Sequence, residues 1–120
     1  MKERCLIWQE DDGEESREAA LARRGDRLCI EEISRGPLTR AMFGASPYGR
    51  RIVIEGEFAP AVLAHALYAD STQDLEVVLR QFFQVGGGRL VDIEDALDRE
   101  NVPYVYAAYT KDEVAFRPAC

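Results

Sequence analysis

One histidine and one tryptophan among 120 residues leave the commonest kinds of side-chain chemistry thinly supplied. The single imidazole, His65, excludes a metal site built on several histidines, and any nucleophile–base–acid relay would have to pass through it. The cysteines are three, Cys5, Cys29 and Cys120, with no C-x-x-C spacing. That odd number predicts neither a zinc site nor a disulfide framework, and Cys5 and Cys29 read as small apolar residues of strands. No apolar run approaches the ~20 residues of a membrane helix. The bases near the start are followed only by "CLIW", too short for a secretory segment. The expectation is therefore a cytosolic chain with no membrane role. G-x-S-x-G, H-E-x-x-H and EF-hand patterns are missing too, and no cofactor or metal is expected.

Glycine is concentrated in one place, "QVGGGRLVDIED" (84–95). A phosphate-cradling loop follows a strand and opens a helix, and the Walker form needs Lys and Ser/Thr after its last glycine. Here the glycines follow a helical pattern, Arg89 comes next, and Leu90 stands where the hydroxyl should be. Asp92, Glu94 and Asp95 already fill the first turn of the next helix and would repel a phosphate. The stretch reads as a hinge between two helices.

Apolar residues make up 47% and charged residues 31%, enough for one globular domain with a core of its own. The net charge of −7 is unevenly spread. Residues 1–22 and 52–100 are rich in acids, whereas 23–51 carry Arg23, Arg24, Arg27, Arg35, Arg40, Arg50 and Arg51. A sequence pI near 4.7 is far from the basic footprint of a nucleic-acid binder, so direct nucleic-acid contact is not expected.

Periodicity gives the order β-α-β-β-α-α-α-β-β. "RCLIWQ" (4–9), "DRLCIEEIS" (26–34) and "RRIVIEGE" (50–57) alternate as strands. "DDGEESREAALARRG" (11–25) reads as a surface helix, with Asp12 and Glu15 as a capping box and Gly25 as its stop. One turn of helix is expected near Leu38–Phe43. Helices follow over 58–70, from Ser71 or Thr72 through Phe83, and from Leu90 through Leu97. "VPYVYAAYT" and "EVAFRP" close the chain as a hairpin, Tyr104 and Tyr106 on one face and Tyr109 on the other. Strands at both ends with helices between predict an α+β domain: an antiparallel or mixed sheet of four or five strands, helices on one face.

The carboxylate pair Glu31–Glu32 is most simply a solvated face, and the tyrosines of the hairpin cross-strand packing. With no catalytic constellation in view, the favoured reading is a small acidic, non-enzymatic protein that neutralises a basic partner. Immunity proteins, antitoxins and phage-encoded inhibitors of nucleic-acid-handling proteins are of this kind; the partner would be a toxin, a nuclease or a nucleic-acid-binding complex. The expected contact residues are Glu10, Asp11, Asp12, Glu14 and Glu15, then Asp92, Glu94, Asp95 and Asp98. The alternative is a small-molecule binder or enzyme, its pocket between sheet and helices, lined by Tyr68, Tyr104, Tyr106 and Arg50 or Arg51, with His65 as proton carrier. A third reading is a homodimer paired through a sheet edge or the aromatic hairpin.

Overall fold

A computed structural model describes residues 3–70 and 72–110. Along the chain run β1 (Glu3–Asp11), β2 (Ser16–Arg24), β3 (Arg27–Arg35), α1 (Pro37–Phe43), β4 (Tyr48–Glu55), α2 (Ala59–Ala66), α3 (Leu75–Arg80), α4 (Leu90–Arg99) and β5 (Val105–Tyr109). The strands form one antiparallel sheet in sequence order, β1-β2-β3-β4-β5. The α+β class is as expected, but the element order is not.

The difference is β2. Its sequence, SREAALARR, has good helix formers, yet Ala19, Ala20, Leu21 and Ala22 are all buried. Small residues on both faces let this strand sit between β1 and β3, and that packing overrides the local preference. Both supposed helix caps are turns. Asp12 Oδ1 accepts the backbone N–H groups of Glu14 (3.0 Å) and Glu15 (2.8 Å), closing the β1–β2 connection. Gly25, at φ 58°, makes the tight link in which Arg24 pairs with Arg27.

Alternation then builds the core. Leu21, Leu28, Ile30, Ile52 and Ile54 point from one sheet face into Leu63, Leu79, Phe83, Ile93 and Leu97 of the helices. Each such side chain contributes roughly 1.5–3 kcal/mol when removed from water. Pro37 and Pro60 occupy first turns, and Asp74 caps α3 by accepting the Glu76 N–H at 3.1 Å. After Arg80 the helix widens into a π turn over Gln81–Val85. The glycines end it: Gly86 N–H donates to Gln81 at 3.0 Å, and Gly88 N–H to Phe82 at 2.9 Å. The Phe82 ring lies where a side chain on Gly88 would have to be, which makes this a packed hinge.

At the sheet's edge, β1 breaks register between Leu6 and Trp8, and Arg80 Nη2 reaches the Leu6 carbonyl at 3.4 Å. Cys5 is a free thiol, partly buried. Cys29 is fully buried and packs with Ala22 and Val53, as expected of a small apolar strand residue. The expected strand 113–118 lies outside the described residues. Among those described, no helix is long and apolar enough to cross a membrane.

Gly49 pairs with Tyr109 across β4 and β5, and a methyl group on Gly49 would fall inside the Tyr109 ring. Gly49→Ala is expected to cost about 1–3 kcal/mol of stability, read from denaturant unfolding, whereas Gly13→Ala, in open space but at positive φ, should cost less.

Candidate functional site

The expectation of a solvated Glu31–Glu32 pair is wrong: the two residues are only 4% and 2% exposed. Adjacent residues of a strand point to opposite faces, so each carboxylate is held separately. Glu32, on the helix side, accepts Arg50 Nη2 at 2.7 Å and the Leu90 N–H at 3.1 Å, which joins β3 to the start of α4. Glu31, on the other side, accepts Arg4 at 3.0 and 3.2 Å and the Tyr109 hydroxyl. Arg4 and Arg35 both reach Glu18, at 3.2 and 2.7 Å. In the folded sheet Glu31-Glu32 faces Arg51-Arg50 across the β3–β4 ladder, a pairing that shows only once the two strands are known to be neighbours.

The nine acids expected to bind a partner divide by what they do inside the fold. Asp11 accepts the Gly13 N–H at 2.8 Å, and backbone donors at Glu15 and Glu14 hold the Asp12 carboxyl below its usual range. Glu15 reaches across to α1, accepting the Leu38 and Thr39 N–H groups and the Thr39 hydroxyl (2.9 Å). Asp92 accepts the Arg89 N–H at 2.9 Å at the start of α4. Glu94 is half-buried; burial raises its carboxyl pKa, with Arg50 opposing. Asp98 hydrogen-bonds Tyr104; burial first, and that carboxylate second, push the phenol up to about 12. Glu10, Glu14 and Asp95 are exposed and make no hydrogen bond through their side chains among the described residues.

None of the nine enters an ion pair with a described residue. The ion-paired acids of the described residues are Glu18, Glu31, Glu32, Glu55 and Glu100. Glu10 through Glu15 lie at the end of β1 and in the β1–β2 connection, and Asp92 through Asp98 share α4.

The pocket envisaged around His65 is not assembled. His65 is 78% exposed and lies 3.3 Å from Glu100 on the surface. Tyr68, 82% exposed, lies under the Arg99 guanidinium at 4.7 Å, while Arg50 belongs to a different cleft of about 200 Å³ between α1, the sheet and the start of α4. No group of His, Cys, Asp or Glu among the described residues has the arrangement of a metal site. No protein-family model, curated protein or solved structure matches the chain.

Removing Glu32 strands both Arg50 and the Leu90 N–H. Glu32→Ala is expected to destabilise by about 2–4 kcal/mol in denaturant unfolding, and more than Arg50→Ala, because Arg50 keeps some access to water. Tyr104 supplies a pH test. Its proton is held more tightly folded than unfolded, so the associated stability is complete below the ordinary phenol pKa of about 10 and is lost as pH rises toward about 12. Tyr104→Phe should lose less stability than the parent over that interval, as measured by thermal unfolding.

Proposed function

We propose that the chain is a non-enzymatic binding protein whose acidic surface engages a basic protein partner, of the functional kind that includes immunity proteins, antitoxins and phage-encoded inhibitors. The observation that carries this reading is the division of its carboxylates. Those facing arginines within the fold are paired, whereas none of the nine acids at the end of β1, in the β1–β2 connection or along α4 enters an ion pair with a described residue. An unpaired surface charge keeps its field over roughly a Debye length, ~10 Å at 0.1 M salt, and grouped charges of one sign speed encounter with a complementary partner. The connection that carries the first group is fixed by Asp11 and Asp12, so its charges are presented at little further ordering cost.

This reading also narrows the contact set. Asp12, Glu15 and Asp92 hold turns and helix starts, so their replacement disturbs the fold as well as the surface. Glu10, Glu14 and Asp95 are the informative positions. The surface location of His65 gives the enzymatic alternative no support.

The test is capture from the native host, or from the phage target of that host, at low ionic strength. A basic protein should be retained, released as salt is raised, and held at least about tenfold more weakly, or about 1.4 kcal/mol, by the triple variant Glu10→Lys, Glu14→Lys, Asp95→Lys with unchanged circular dichroism. Failure to retain any basic protein, or undiminished retention by the variant, overturns the proposal.

A further inference from the structure

The cleft beside Glu32 carries the opposite sign of chemistry. Its walls include three arginines, Arg17, Arg50 and Arg89, and two carboxylates, Glu15 and Glu32. The acceptors are used up. Glu15 gives both oxygens to the start of α1, and Glu32 gives one to Arg50 and the other to Leu90. The donors are not. Arg17 makes no side-chain hydrogen bond or ion pair with any described residue; Glu10 opposes it across the β1–β2 ladder but stays beyond ion-pair distance. Arg89 has no ion pair with a described residue either, and its guanidinium lies over the Trp8 ring at 5.2 Å. The Ser34 hydroxyl also lies in the wall. Half-buried guanidinia with N–H groups unused by the described residues can take an incoming acceptor, and their fork suits a carboxylate.

Size and rim restrict the ligand further. A volume of about 200 Å³ is below the roughly 300–1,000 Å³ of drug-sized sites, which leaves out a nucleotide. The mouth is apolar: Leu38 is 54% exposed, Met42 65%, and Phe43, stacked on Tyr48 at 4.3 Å, is also accessible. Inorganic phosphate has no apolar part to cover this rim, whereas a carboxylate on a short apolar chain does. We propose that this cleft is a binding site for a small monocarboxylate with a short apolar chain, its carboxylate engaged by Arg17 and Arg89 and its chain against Leu38, Met42 and Phe43. The α4 N-terminus is not the anion site, because Glu32 and Asp92 already accept the N–H groups of Leu90 and Arg89.

Trp8 is the one tryptophan of the chain and touches Arg89, so its fluorescence reports on the site directly. The probes are hexanoate, acetate and inorganic phosphate, titrated at low ionic strength into the full chain. Hexanoate should give a saturable change in Trp8 emission, with acetate at least about tenfold weaker and phosphate giving no saturation over the same range. Arg17→Gln should weaken hexanoate by at least about tenfold without lowering the thermal midpoint, while Arg24→Gln, exposed at the far end of β2, should leave it unchanged. Absence of saturation by hexanoate, phosphate binding as tightly as hexanoate, or an Arg17→Gln titration matching the parent overturns the assignment. Because these readouts involve no protein partner, their failure is separable from that of the acidic-surface reading.

Discussion

Two neighbouring carboxylates in the central strand of a sheet impose a requirement on everything around them. An ionised group removed from water costs several kcal/mol unless opposite charge and hydrogen bonds replace its solvation. Because Glu31 and Glu32 point to opposite faces of β3, two separate sets of partners are needed. Arg4 comes from β1 and Tyr109 from β5, so the first carboxylate is tied to both outer strands. Arg50 comes from β4 and the Leu90 N–H from α4, so the second fixes a helix start against the sheet. The apolar core sets how well the layers adhere; these carboxylates help to select their register. A one-residue slip of β3 against β4 would exchange the faces and separate each acid from its donors.

The same logic separates structural acids from available ones. Glu15 is the clearest case, since a residue in an acidic run resembles surface charge until its oxygens are followed to α1. Capping a helix from a neighbouring strand connection binds two elements whose own interactions are few. Asp92 does comparable work within its own helix. What remains exposed and without a bond, Glu10, Glu14 and Asp95, is a small subset of the acids that composition alone would nominate. Fewer of these acids are free of structural work than the charge pattern suggests.

The α+β class, the short α1, the strands β3 and β4, and the three later helices were legible because each follows a single strong periodicity. Ile52 and Ile54 alternate with Val53, and Leu75, Val78, Leu79 and Phe83 recur at helical spacing. β2 was not legible. Alanine reports helix preference when a segment stands alone, but in a sheet its small volume is what counts, and volume matching with β1 and β3 is a non-local property. Asp12 and Gly25 added to the error, since a carboxylate that accepts nearby N–H groups and a glycine at positive φ serve turns as well as helix ends. The burial of Glu31 and Glu32 required knowing which strand lay alongside. The cleft was illegible for the same reason: Arg17, Arg50 and Arg89 come from three elements and meet only in the folded chain.

The irregularity in β1 has a consequence for how copies of the molecule behave toward one another. An outer strand with a regular row of unsatisfied amides and carbonyls is a template on which a second chain can zip, the usual route to filaments and exchanged strands. Here the extra residue between Leu6 and Trp8 interrupts that row, and Arg80 already donates to the Leu6 carbonyl. Charged Arg4, Glu10 and Asp11 flank the interruption. A nine-residue strand is thus kept from offering a flat, continuous seam to a second copy by a local fault in its own pleating.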